Sequence, residues 1–344
     1  MVDIHSADIQ SKLKDIDDYI RAEYLKSHPQ KERDWMTYEQ RFARRIKEAK
    51  RSLEPLIHEA VTTIMVYHEA DRRGRPESLT LEQKVKLLLI KQLVGESNRV
   101  FANMLDLFSM VSGMDVSYKT VERLYSDDMV MMALHNLHVL ILRKKGVKIS
   151  DATGDGTGYS LTIKKNYESY AQRLKDRAKE NGDKKGDDAG PRRKGLFAYA
   201  FTIMDLNTRL YLACGHSLRS EKEAFEGAMA MLSRTDVELS SMRLDRYYSY
   251  PTYVNAFGGE TMVYVMPKKN STLKGSQKWK DTMKEFITNT VGYLEEYHRR
   301  SNSESGFAQD KKLLGWTVAQ RRDDRIGCAL FSMELWHNLF NLAS

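Results

Sequence analysis

The sequence predicts an α/β protein, with a mixed β-sheet core flanked by helices and preceded by an all-α region. Three observations carry this. Up to about residue 145 the apolar residues recur at helical spacing only. From Gly146 the period changes to two: Val147, Ile149, Asp151, Thr153 and Asp155 share one parity, and so one face of an extended strand. Counting that strand, β-branched and aromatic runs interleave with helical ones in the order β-β-β-α-β-α-β-α. A chain of 344 residues has room for two or three domains. With 41% hydrophobic and 30% charged residues it reads as globular, and a net charge of +8, spread along the chain, suits a polyanion such as DNA.

Several classes are disfavoured. The start, Met-Val-Asp-Ile-His-Ser, lacks the basic and apolar regions of a signal peptide. The longest apolar run, Met129 to Leu142, contains His135, Asn136 and His138, and is too short and too polar to span a membrane. The expectation is therefore a cytoplasmic protein without a membrane partner. Cys214 and Cys328 form no CxxC pair and no metal spacing, which predicts reduced thiols in the core.

Residues 1–75 predict a helical N-terminal arm. Ile16, Tyr19, Ile20, Tyr24 and Leu25 recur at helical spacing, as do Leu53, Leu56, Ile57, Ala60, Val61 and Ile64. Gly74-Arg-Pro-Glu breaks the pattern. Residues 76–145 then carry an amphipathic helix from Leu79, a second from about Ser97 to Phe108, a short link at Val111-Ser-Gly-Met-Asp, and a third helix capped by Ser117. That is a helix-turn-helix pattern, closed by a linker helix over Met129 to Leu142. If Val121 and Leu124 face the core, Tyr118, Lys119, Glu122 and Arg123 are free to meet DNA in a groove. His135 and His138, with no third ligand near, read as satisfied core histidines.

Residues 146–344 form the sheet domain. Asp151 and Asp155 share the first strand's face but lie roughly 13 Å apart when extended, too far to hold one ion unless the glycines bend the chain. A polar insertion at about 164–195 has 11 Lys and Arg against 6 Asp and Glu. Two strands follow, at Gly195 to Met204 and Thr208 to Cys214, with Asp205-Leu-Asn-Thr as the hairpin turn. Ser220 caps a helix, a strand from Ser240 ends at Asp245, and Met262 to Met266 is the fifth strand. Ile326 to Phe340 is a strongly apolar helix, in which His337 reads as packing.

The remaining stretch holds the chemistry. Tyr297, Arg300, Glu304 and Lys311 lie three, four and seven residues apart, steps that return to one face of an α-helix. A phenol, a guanidinium, a carboxylate and an ammonium in one row can hold a divalent cation and phosphates; a solvated helix face has the same spacing.

The pattern Tyr-(2)-Arg-(3)-Glu-(6)-Lys, complete here, resembles the signature of a large group of insertion-sequence transposases with an RNase H-like DDE catalytic core. Asp245 followed by aromatic residues resembles that family's second aspartate, and Met266-Pro-Lys-Lys-Asn-Ser resembles its basic segment after a strand. The first aspartate of the family precedes a small residue and Thr. Asp155-Gly-Thr-Gly fits best, and Asp151-Ala-Thr-Gly is the alternative. One departure is the interval of 59 residues from Asp245 to Glu304, which leaves no room for the β-rich insertion some relatives carry there.

The resemblance implies an RNase H-like sheet and metal-dependent cleavage at element ends, followed by strand transfer into target DNA. Asp155 (or Asp151), Asp245 and Glu304 would hold Mg²⁺ or Mn²⁺, with two ions, and Tyr297, Arg300 and Lys311 would contact DNA. It also implies terminal inverted repeats and target DNA as partners, a homodimer on DNA, and a prokaryotic, nucleoid-associated setting. The rivals are an RNase H-like nuclease without strand transfer and a non-catalytic DNA-binding descendant.

Overall fold

The computed structural model describes residues 5–19, 35–65, 79–112, 116–161 and 197–342, without the side chains of a few helical residues, Phe108 and Glu304 among them. The expected periodicity from Ile20 to Leu25, the break at Gly74, residues 113–115 of the link and the insertion at 164–195 lie outside the described residues.

The first part is helical: α1 (Ser6–Tyr19), α2 (Trp35–Met65), α3 (Leu81–Val94), α4 (Asn98–Ser112), α5 (Tyr118–Leu124) and α6 (Asp128–Lys145). Local chemistry sets the ends of these helices. Thr80 and Gln83 form a reciprocal capping box on α3, and the Ser117 hydroxyl accepts the Thr120 amide at the start of α5. Gly146 ends α6 at φ 73°, the left-handed conformation that stops a helix without a Cβ clash. The periodic residues of α2, Leu53, Leu56, Ile57, Ala60, Val61 and Ile64, are all buried, and α2 packs on α6. Buried His138 bonds the Leu212 carbonyl at 2.9 Å, and His135 packs at a tilt against Phe331 with centroids 4.6 Å apart.

The second part is built on β1 (Ile149–Leu161), β2 (Phe197–Asp205), β3 (Tyr211–Ser217), β4 (Glu238–Leu244), β5 (Met262–Val265) and the short β6 (Thr317–Val318). The sheet order is β3-β2-β1-β4-β5, and β6 pairs with the far end of β1. Strand β2 is antiparallel to its neighbours β1 and β3; β1, β4 and β5 are parallel. At the β2–β3 turn, Asp205 Oδ2 accepts the Thr208 amide at 2.6 Å and its hydroxyl at 2.7 Å.

The helices of this part are α7 (Glu221–Leu232), α8 (Pro251–Val254), α9 (Gln277–Thr288), α10 (Thr290–His298), α11 (Ser301–Leu314) and α12 (Asp323–Leu342). Ser220 caps α7. A Cβ at Gly215 would fall 2.0 Å from the Ala224 carbonyl oxygen, so α7 sits directly on the backbone of β3. Helix α12 is buried on almost every side because it lies between α2, α3, α6 and the β3 edge. Trp336 Nε1 bonds the Leu89 carbonyl at 2.8 Å. One hydrophobic core therefore runs from the N-terminal helices through α12 into the sheet.

Candidate active site

Strand pairing decides what the two aspartates of β1 meet. In the parallel β1–β4 pair, Ala152 stands opposite Met242 and Gly154 opposite Leu244. The next residues, Asp155 and Asp245, therefore lie side by side where β4 ends and β1 runs on. Asp155 Oδ1 accepts the Gly156 amide at 2.9 Å, and Asp245 Oδ2 caps the turn at Arg246–Tyr248 through the Tyr247 amide at 3.2 Å. One guanidinium joins the two carboxylates: Arg300 Nη1 lies 3.4 Å from Asp155 Oδ2 and 3.6 Å from Asp245 Oδ1. Asp155 keeps 15% of its side-chain exposure and Asp245 38%, so the pair opens outward on the Asp245 side.

Asp151 has other company. Its Oδ1 accepts the Ser240 hydroxyl at 2.9 Å and that of Ser241. Ser241 in turn accepts from Arg243 Nη1 at 2.7 Å. Arg243, 1% exposed, bonds the Glu296 carboxylate and carbonyl, and Arg299 joins Glu296 at 2.9 Å. The Ser241 hydroxyl above all holds the Asp151 carboxyl below its usual range; burial opposes this, and Ser240 and the Arg243 charge add to it. Asp151 is part of a network beneath α10, and Asp155 is the aspartate beside Asp245.

The row from Tyr297 to Lys311 does not lie on one uninterrupted helix as expected. Helix α10 ends at His298 and α11 begins at Ser301. Across the join, Arg300 N bonds Tyr297 O at 3.1 Å and Ser303 N bonds Arg300 O at 3.0 Å, tightened three-residue links that keep the angular spacing in outline. Tyr297 is buried at 8% exposure, with the Arg300 guanidinium 5.9 Å from its ring centroid. Burial raises its phenol pKa, against the pull of Arg300. Glu304 falls on the first turns of α11; its side chain lies outside the described residues.

Lys311 Nζ donates to Thr157 Oγ1 at 2.6 Å, two residues along β1 from Asp155. Burial lowers its pKa, and its ammonium lies 5.1 Å from the ring of Trp316, which is 63% exposed. Helix α11 is anchored from behind: buried Asp310 accepts the Tyr211 hydroxyl at 2.6 Å and meets His337 Nδ1 at 2.7 Å. His337 Nε2 meets the Arg209 carbonyl at 2.8 Å, and the ring stacks on Tyr211 at 3.8 Å. His337 is thus more than the packing residue the sequence suggested. Burial opposes its charged form, but Asp310 and the carbonyl outweigh it, and its pKa is raised.

Two neighbours were not foreseen. Glu221 Oε1 accepts the Tyr248 hydroxyl, and a Cβ at Gly156 would fall 2.4 Å from that oxygen, so a third described carboxylate packs against the strand next to Asp155. In the sequence it is only the first residue after a helix cap. The exposure of Trp316 follows from tertiary placement and has no local signal.

No family model matches the chain, and no solved structure matches it. It is 42% identical over 329 residues to a probable transposase for insertion sequence element ISA1214 of Archaeoglobus fulgidus, covering 95% of this chain and 92% of that relative. The chain belongs to the insertion-sequence transposases.

In this transposase the α5 face is less free than the sequence suggested. Val121 and Leu124 are buried as expected. Glu122, however, is taken by Arg325 of α12 and by Lys119 at 3.1 Å. Tyr118, 38% exposed, lies between the cations of Arg99 and Lys119, 5.2 and 5.3 Å from its ring centroid, and Arg123 is exposed. Among the described residues of the transposase, no helix is long and apolar enough to cross a membrane.

Proposed function

We propose that this transposase cuts DNA at the ends of an insertion sequence and joins them to target DNA, using an RNase H-like core in which Asp155, Asp245 and Glu304 are the catalytic carboxylates. The observation that carries the reading is the convergence of Asp155 and Asp245 on one cation, Arg300, from positions far apart in the chain. The antiparallel β3-β2-β1 half and the parallel β1-β4-β5 half of the sheet support the RNase H-like assignment.

Two convergent carboxylates with no Cys or His between them fit a hard cation, Mg²⁺ or Mn²⁺, held by Asp155, Asp245 and Glu304. When bound, the ions, two in this reading, stabilise charge on the attacking and leaving oxygens of an in-line displacement. Arg300 then passes from the carboxylates to a phosphate, for which its forked donors are suited. Lys311 holds a second phosphate from its seat on Thr157, and Tyr297 backs Arg300 and contacts the DNA backbone. Water displaces the 3′ oxygen at the element end, leaving a 5′ phosphate and a 3′ hydroxyl. That hydroxyl then attacks a target phosphorus and displaces its 3′ oxygen. Helices α3, α4 and α5 act as the helix-turn-helix, with Tyr118, Lys119 and Arg123 toward the DNA, and the protein works as a homodimer on the paired terminal repeats.

The test is cleavage of a terminal-repeat duplex in Mg²⁺. Glu304→Gln abolishes cutting while DNA binding in a gel shift survives; full cleavage by that variant sinks the reading. A strand-transfer assay with precut ends separates a transposase from a nuclease that only cuts.

A further inference from the structure

A second cluster of ligating side chains lies two strands away from Asp155, at the β3 edge of the sheet. Cys214 and His216 are two residues apart on β3 and so share a face. That face meets α12, where Glu334 stands. One ligand atom from each of the three lies within 4.8 Å of the others, and His216 Nε2 is 3.0 Å from Glu334 Oε1. The sequence read Cys214 as a plain core thiol because its partner histidine is one residue removed and its partner carboxylate 120 residues away.

An ion pair between His216 and Glu334 explains only part of this. Glu334 is 6% exposed, and among the described residues its second oxygen, Oε2, is buried with no hydrogen-bond partner. A buried, uncompensated carboxylate oxygen is costly. A thiol, an imidazole and a carboxylate around one point are a zinc donor set. Tetrahedral bonds of about 2.0–2.3 Å put ligand atoms about 3.3–3.6 Å apart in a set with one sulfur, so closing the cluster takes a contraction of at most about 1.5 Å. His216 also lines a cavity of about 210 Å³ with Arg219, Glu223 and Asp323, which brings open space to the histidine of the cluster. The Met231 thioether, 3.6 Å from Cys214 Sγ, adds polarisable surroundings, while the carboxylate favours Zn²⁺ over Cu⁺.

We propose that Cys214, His216 and Glu334 bind one Zn²⁺ that clasps the β3 edge strand to α12, separately from the carboxylates at Asp155 and Asp245. Binding exchanges the Cys214 thiol proton, released to solvent, for a sulfur–zinc bond.

The test uses the full chain, stripped with chelator and titrated with Zn²⁺ or Co²⁺ alone. Wild type takes up one equivalent of Zn²⁺, and its melting temperature rises with added Zn²⁺ as binding to the folded state requires. The Co²⁺ form shows a thiolate-to-metal charge-transfer band. Cys214→Ser loses that band, His216→Ala and Glu334→Gln lose stoichiometric uptake, and Asp155→Asn keeps both. Circular dichroism of each variant checks that it is folded. Failure of folded wild type to take up Zn²⁺ above the Cys214→Ser level, or a Co²⁺ band that survives Cys214→Ser, overturns the proposal. Neither result bears on cleavage, because the zinc cluster shares no residue with the proposed active site.

Discussion

Asp151 and Asp155 stand four residues apart on β1, yet Asp151 is held by two serine hydroxyls above buried Arg243, while Asp155 shares the Arg300 guanidinium with Asp245. The difference lies in what β4 offers. Opposite Asp151, β4 offers Ser241 and the arginine that braces it; beyond Gly154 it ends in another acid. A carboxylate held by two hydroxyls that a buried arginine braces serves stability. One that is balanced by a long flexible cation, next to a second carboxylate, can exchange that cation for another.

The sharpest way to break this contrast is to remove each charge in turn. Asp155→Asn lowers cleavage by about 10²–10³-fold or more, the scale of losing one partner of transition-state charge, while Asp151→Asn cuts DNA at close to the wild-type rate. Equal losses in a single-turnover assay of the two variants would erase the distinction. Next in size, Arg300→Ala lowers cleavage about 10–100-fold and Arg300→Lys recovers part of it, since an ammonium supplies charge without the fork. Steady-state DNA binding by both variants tells positioning from affinity.

A smaller effect sharpens the other side. Asp151→Asn costs about 1–2 kcal/mol in denaturant unfolding, from weakened hydrogen bonds to a charged acceptor. Because the folded pKa of Asp151 is depressed, its contribution is present above the unfolded value of about 3.9 and is lost as pH falls through the lower folded value. The variant therefore loses part of the wild type's acid sensitivity.

The mildest effect concerns the anchor of α11. Asp310 Oδ1 and the Arg209 carbonyl oxygen each accept best from a protonated ring nitrogen, so the pocket favours the imidazolium form of His337. Its raised pKa makes the stabilisation complete below the unfolded value of about 6.5 and lost as pH rises through the folded one. Melting temperature should decline over that interval on the alkaline side, and His337→Gln should flatten the decline.

Much of the scaffold was legible because it is local. Ser117 and Ser220 cap helices, Gly146 ends one, and alternation marks β1. What sequence could not supply is register. Parity placed both aspartates on one face, but only the pairing of Gly154 with Leu244 brings Asp155 to Asp245. The interruption at Arg299 and Arg300 was hidden because both residues keep right-handed α dihedrals and no proline or glycine marks the joint. Glu122 was read as free because its partner, Arg325, is about two hundred residues away on a helix whose docking no local pattern reveals.

The Lys311–Thr157 bond makes β1 a ruler. The carboxylate and the seat of the lysine are marked on one strand, two residues or about 6.8 Å apart by strand rise. Pairing with β2 along Asp155, Gly156 and Thr157 holds that interval fixed. Helix α11 can tilt, or trade one residue for another, without stretching it. Two fixed points on a line are enough to set both the place and the direction in which a threaded polymer lies.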